Sequence, residues 1–137
     1  MKKKNILIVN ARYYEEIITN LYRDAQFFLK KKVKHDVVNV PGVFEIPVVI
    51  SKNINKYDGF IALGCVIKGK TPHFDFISRA TTEAIMKLSI DSKKPIGNGI
   101  LTCLNYKQAT ERSSKKRGKE GKGIEAAKAV FQVLNNF

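Results

Sequence analysis

The run Gly59-Phe60-Ile61-Ala62-Leu63-Gly64-Cys65-Val66-Ile67 is apolar or small from end to end. A strand with one wet face alternates apolar and polar side chains. A strand that does not alternate is buried on both faces, the condition of a strand inside a parallel sheet covered by helices. Residues 5–10, 35–40 and 95–103 read as three further strands. Between them run patterns of helical period. Ile18, Leu21, Ala25 and Phe28 recur at three- and four-residue spacing within 15–31, and Ile77, Ala80, Ala84 and Leu88 do so between Pro72 and Ser92. A short helix is expected over 44–56 after the Pro41-Gly42 turn, another over 106–114, and a last one marked by Ile124, Ala127, Phe131 and Leu134. The expected class is α/β, a parallel sheet with helices on both faces.

A chain of 137 residues, 44% of them hydrophobic, is expected to form one domain over 1–137 and can bury a proper core. Cys65 and Cys103 each lie in an apolar strand, which reads as small buried core residues and not as a disulfide framework or zinc site. Two histidines, His35 and His73, argue against a histidine-based metal centre. Met1-Lys2-Lys3-Lys4 before Ile6-Leu7-Ile8-Val9 imitates the start of a signal peptide, but the apolar part is short and Arg12 ends it. No stretch is long enough to span a membrane, so a cytoplasmic protein is expected. The net charge of +13 raises the question of nucleic acid. The basic residues, however, are scattered along the chain and no reading motif accompanies them, so a nucleic-acid partner is not expected. The same charge would steer anionic substrates.

Open parallel sheets bind ligands beyond the carboxyl ends of their strands. The chemically loaded segments fall there: Arg12-Tyr13 after the first strand, Val43-Phe44-Glu45 after the second, and Lys68 to His73 after the third. Gly64 to Thr71 also fits G-x-x-x-x-G-K-[ST], the phosphate loop of nucleotide hydrolases. Its interior is Cys65-Val66-Ile67, and β-branched residues resist the tight turns that such a loop uses. Those residues continue a strand instead, and no strand ending in Asp supplies a carboxylate for Mg²⁺.

His73 follows Pro72 at a helix start, and an imidazole titrating near neutrality can give and take protons there. A helix-start histidine that only bonds backbone is the plainer reading. Asp75 either orients the site or complements the helix's first turn. Lys70 and Thr71, beside helix N–H groups, suit a phosphate, and Arg112 would add bidentate charge. An exposed charge is the ordinary reading of Lys70 and Lys122. Glu45 is either a ligand group or a charge in a cap region, and Phe44 could simply be core.

Taken in order, several segments resemble the lumazine synthase family: Gly42-Val43-Phe44-Glu45-Ile46-Pro47, then Ala62 to Asp75, Asn98-Gly99-Ile100-Leu101-Thr102, Gln108-Ala109-Thr110-Glu111-Arg112, and Lys122-Gly123-Ile124-Glu125-Ala126-Ala127. The resemblance implies a four-stranded parallel sheet in a three-layer sandwich. It implies a transferase of riboflavin biosynthesis, condensing 5-amino-6-(D-ribitylamino)uracil with 3,4-dihydroxy-2-butanone 4-phosphate without metal or organic cofactor. It makes His73 the proton-transfer residue and Arg112 the phosphate anchor, with Lys70, Thr71 and Lys122 nearby. Tyr13, Val43, Phe44, Glu45, Val66, Ile67, Lys68 and Asn98 fall among the substrate-binding positions. It also implies a homo-oligomer, at least a pentamer, with sites shared between subunits. The chain departs from the usual pattern at Val43 (Ser or Ala), Lys68 (Arg) and Asn98 (an aromatic residue), and the spacer from Arg112 to Lys122 is about two residues longer than usual. A nucleotide-binding protein, a basic RNA-binding domain and the related archaeal type of riboflavin synthase remain as alternatives.

Overall fold

A computed structural model describes residues 4–114 and 121–137. Four parallel strands form one sheet: β1 (Asn5–Ala11), β2 (Lys34–Val40), β3 (Gly59–Ile67) and β4 (Ile96–Cys103), in the spatial order β2-β1-β3-β4. The register runs from Ile8 to Val37 on one side and to Ile61 on the other, and from Ile61 on to Gly97. Five helices accompany the sheet: α1 (Glu15–Leu29), α2 (Ile46–Lys52), α3 (His73–Ser92), α4 (Tyr106–Ser113) and α5 (Lys122–Asn136). A single 3-10 turn, Val43–Glu45, precedes α2 where one longer helix was expected from residue 44. Pro47 at the second position of α2 fits only the start of a helix, so the turn before it has its own geometry. Most of the long spacer from Arg112 to Lys122, residues 115–120, lies outside the described residues.

The sheet separates two apolar layers. Ile6, Ile8, Ile61, Leu63, Leu101 and Cys103 face α1, α4 and α5, meeting Ile17, Ile18, Leu21, Ala25, Ala109, Ala127 and Val130. Leu7, Val9, Phe60, Ala62, Val66 and Ile100 face α2 and α3, meeting Ile46, Ile50 and Ile85. This is the three-layer α/β sandwich. Eight successive residues of β3, Gly59 through Val66, are buried, as the absence of alternation required. Each large aliphatic side chain so buried stabilises the fold by about 1.5–3 kcal/mol.

The two edge strands are protected differently. β2 carries exposed Lys34, Asp36 and Asn39, charges and amides that discourage pairing with another strand. On β4 the Asn98 side chain turns back along its own strand, and its Oδ1 accepts the N–H of Ile100 at 3.0 Å.

The buried face of α3 is offset from the expected stripe. Thr81 and Ile85 are the buried residues, with Phe74, Ile77 and Leu88 packed beside them, and Ala80 is exposed. The bulkier Ile85 fills the gap to the sheet, which turns Ala80 outward. On the outward side Phe76, Met86 and Ile90 are all more than half exposed.

α5 lies close against α1 because Gly123 has no side chain. A Cβ there would collide with the carbonyl oxygen of Leu21. Backbone on both sides leaves no flexible group to yield. Gly123→Ala is therefore expected to lower unfolding free energy by about 1–3 kcal/mol, measured by chemical denaturation.

Candidate active site

At the carboxyl ends of the strands a cleft of about 530 Å³ opens between the 3-10 turn, the end of β3 and the start of α3. Six of the sequence-predicted residues line it: Tyr13, Val43, Phe44, Val66, Ile67 and His73. Gly42, Tyr14, Cys65 and Ile77 complete the wall. Tyr14 and Cys65 were not singled out from the sequence. Their signal was position, since one neighbours Tyr13 and the other sits where β3 ends.

Each wall has a local cause. The 3-10 turn can lie on the sheet because Gly64 has no side chain. A Cβ at Gly64 would stand 2.7 Å from Val43 Cγ2 and 3.2 Å from Ala11 Cβ. Val43 is thereby buried under the turn while Phe44 projects outward, 63% exposed, so Phe44 is not core. Glu45 does not line the cleft. Its Oε1 accepts the N–H of Gly42 at 2.9 Å, a cap-type bond that fixes the turn. Tyr13, 75% exposed, meets the Tyr14 ring edge-on at 4.9 Å between centroids, and Tyr14 in turn meets Tyr106 at 6.3 Å. Arg12 is held by an ion pair to Glu15.

His73 is the first residue of α3 and is exposed. Its backbone N–H reaches Thr71 Oγ1 at 3.4 Å, and its ring takes no hydrogen bond from the described residues. The imidazole thus borders the cleft, free to meet a ligand. Lys68, Lys70 and Thr71 lie exposed on the loop before α3, just outside the cleft lining. Lys68 anchors that loop by donating its backbone N–H to the carbonyl of Cys103 at 2.9 Å. The N-terminus of the 20-residue α3 faces the same loop and adds a positive end suited to an anion.

Three predicted residues stand apart from the cleft. Asn98 is in register with Ala62, three to five residues short of Cys65–Ile67, a separation of about 10–17 Å along the strand. Arg112, in the last turn of α4, is exposed and interacts with the Cys103 thiol on the α1–α4–α5 side. Lys122 opens α5, half-buried. Among the described residues no group of three or more His, Cys, Asp or Glu side chains could hold a metal ion, and no helix is long and apolar enough to cross a membrane.

The two thiols are neighbours across β3 and β4. Burial pushes Cys65 up to about 12, with the nearby Cys103 adding to the rise. Burial also raises Cys103, opposed by the Arg112 guanidinium. Both are therefore neutral at cell pH, and Cys65 is a floor for the cleft, not a nucleophile. Burial likewise raises the Tyr14 phenol, so it stays a hydrogen-bond donor.

The arrangement is that of an α/β protein with an apolar strand-end cleft, one free imidazole and a cationic rim. The chain matches the family model of 6,7-dimethyl-8-ribityllumazine synthase over residues 3–137. It is 40% identical to the 6,7-dimethyl-8-ribityllumazine synthase of Bartonella tribocorum over 99% of this chain and 93% of the relative. The synthase of Agrobacterium fabrum is 40% identical over 98% and 95% of the two chains, and that of Bartonella bacilliformis 44% over 95% and 88%. The chain belongs to the 6,7-dimethyl-8-ribityllumazine synthase family.

Gly64→Ala is expected to push Val43 and the 3-10 turn off the sheet. Stability should fall by about 1–3 kcal/mol in urea unfolding, and a ligand bound in the cleft should bind more weakly. The thiols give a pH prediction. An unfolded cysteine loses its proton near 9.0, while Cys65 in the fold holds it to about 12. Between those values the unfolded chain binds fewer protons, so stability falls as pH rises. The melting temperature should drop from pH 8.5 to 10.5 less steeply in Cys65→Ala than in the parent.

Proposed function

We propose that the protein condenses 5-amino-6-(D-ribitylamino)uracil with 3,4-dihydroxy-2-butanone 4-phosphate to 6,7-dimethyl-8-ribityllumazine. The observation that carries the reading is the cleft itself. In a chain of this family, it joins an aromatic wall (Tyr13, Phe44), an apolar floor (Val43, Cys65, Val66, Ile67) and a free imidazole (His73). A flat, hydrogen-bonding heterocycle fits such a slot, with its ring against Tyr13 or Phe44 and its polar edge on the exposed backbone of the 3-10 turn.

In this reading an amine of the uracil attacks the ketone carbon, and loss of water gives an imine. Inorganic phosphate then leaves, and the second nitrogen closes the ring with loss of a further water. Most of the rate enhancement comes from holding the two reactants in register. His73 carries protons to and from the departing groups, its imidazole able to donate at one nitrogen and accept at the other. Lys70, Thr71 and the N-terminal N–H groups of α3 receive the phosphate.

The separated residues point to a shared site. Asn98 lies about 10–17 Å short of the strand end, and Arg112 lies on the opposite side of the sheet from the 3-10 turn. We assign both to the cleft of a neighbouring copy, Arg112 as the phosphate anchor and Lys122 as a further cation near it. The outward apolar residues of α3, Phe76, Met86 and Ile90, are suited to burial in such an assembly, at least a pentamer.

Mixing the purified protein with both substrates should form lumazine above the uncatalysed background, followed by absorbance and fluorescence. Arg112→Ala is expected to lower kcat/KM about 100-fold or more through loss of a charge-assisted phosphate contact. His73→Ala should lower kcat about 100-fold to 10,000-fold. If residues are shared, a mixture of Arg112→Ala and His73→Ala subunits, each nearly inactive, should recover activity on co-assembly. A folded sample with no enhancement over background would refute the assignment.

A further inference from the structure

Helices that connect parallel strands run antiparallel to them, so α1, α2 and α3 end where β2, β3 and β4 begin. Lysines that look scattered in the sequence converge at that edge, opposite the active-site cleft. Lys4 precedes β1, Lys30, Lys31 and Lys32 lie between α1 and β2, Lys34 opens β2, Lys52 ends α2 and Lys56 follows it, and Lys93 and Lys94 precede β4. Among the described residues none of these nine forms a salt bridge. The carboxylates placed there are fewer and engaged: Asp58 with the Asn5 backbone, Asp91 with Lys87, and Asp36 with the Tyr57 hydroxyl. Neutralising helix carboxyl ends is the ordinary use of such lysines. Four helix ends amount to about two negative charges, so a surplus of about four positive charges remains.

The surplus is shaped into a groove. Between the ends of α1 and α5 lies a cleft of about 410 Å³ whose walls include Lys4, Lys30, Lys31 and Lys32 together with Phe131 and Leu134. Lys32 sits over the Phe28 ring at 4.6 Å from its centroid, and Phe28 meets Phe131 edge-on at 5.8 Å. Phe27 is 73% exposed. It lies in the last turn of α1, three and four residues before Lys30 and Lys31. The exposed Phe27 ring serves nothing in the proposed chemistry.

We propose that this groove binds single-stranded nucleic acid, RNA in the first place, with phosphates on Lys4 and Lys30 to Lys32 and a base stacked on Phe27. A positively charged channel edged by aromatic rings is the pattern by which proteins hold single strands without reading sequence. A duplex hides the faces of its bases and would leave Phe27 unused. A lipid surface calls for a broad apolar face, whereas here Phe131 and Leu134 lie within a groove lined by lysines. The expectation against a nucleic-acid partner rested partly on the scatter of lysines along the chain, and the fold removes that ground for this group. The proposal is independent of lumazine formation, which uses the other end of the sheet.

The test is fluorescence anisotropy with the full-length protein and a labelled oligouridylate of about twenty nucleotides, long enough to fill a groove of this kind, over a series of salt concentrations. Binding should weaken as salt rises. The combined variant Lys30→Gln, Lys31→Gln, Lys32→Gln should lower the slope of log affinity against log salt by about 2, near 0.7 for each phosphate no longer neutralised. Phe27→Ala should weaken binding about fivefold or more with the slope unchanged. Both variants should keep the parent's melting temperature within a few degrees and its lumazine formation, which separates lost binding from lost folding. Unchanged oligouridylate affinity in the triple variant would overturn the proposal. So would a duplex of equal length binding as tightly as the single strand, or vesicles of anionic phospholipid binding as tightly with no loss on Phe27→Ala.

Discussion

The burial of β3 on every side is the constraint on which the rest of the molecule depends. Its backbone pairs with β1 and β4, and its side chains face an apolar layer above and below. Parallel neighbours on both sides force each connection to cross over the sheet, and crossovers of this kind are helices of fixed hand. The helices then supply both apolar layers, and every strand ends on the same edge. Burial stops at Ile67 because nothing covers the strand beyond it. The chain turns there into an exposed loop that starts α3. The cleft is therefore where a fully buried strand runs out of cover, bounded by the turn after β2 on one side and the helix after β3 on the other.

That origin explains the chemistry of the cleft. Its floor is the tip of the core, so Val43, Cys65, Val66 and Ile67 give it no charge of their own. The Cys65 thiol keeps its proton to about 12 because it is core in all but position. Polar groups come from the segments beyond the strand ends: the Tyr13 and Tyr14 hydroxyls, the imidazole of His73, the Lys68 to Thr71 loop and the N–H groups of α3. Among the described residues no carboxylate lines the cleft, and Glu45 is engaged with the Gly42 N–H. A largely apolar slot with cations at its rim favours a planar neutral ring inside and an anion at the mouth.

The strands were legible because an apolar run without alternation has few other uses in a chain of this length. The boundaries of β3 in the sequence and in the fold coincide at Gly59 and Ile67. The face of α3 was less legible. Ala80 and Thr81 differ little in apolar character, and only the volume demanded by the sheet decides which of them turns inward. Periodicity carries no information on volume. In the cleft, Phe44 and His73 could be picked out by type and place, whereas Tyr14 and Cys65 could not, because lining a cleft needs no special chemistry. Asn98 stood out only as a member of an ordered set of motifs, and Arg112 only by its charge. Neither residue lines the cleft of its own copy, so local pattern gives no reason to join them to it.

The two edges of a parallel sheet are electrically unlike, and this bears on how the charge of the chain is distributed. Helix N-termini gather at the edge where strands end, and helix C-termini at the edge where strands begin. The first edge is intrinsically attractive to anions and needs few added cations to hold a phosphate. The second is intrinsically negative, and lysines placed there first cancel the helix ends before they produce any outward field. A chain that needed only to bind a phosphorylated substrate would gain most from cations at the first edge. Among the described residues nine lysines lie at the second, more than the helix ends and nearby carboxylates can absorb. With a Debye length of about 8 Å at physiological salt, the field of that surplus does not reach across a sheet whose strands are seven to nine residues long. The lysine-rich edge cannot serve the cleft as a steering field, so its charge acts on whatever meets that edge directly.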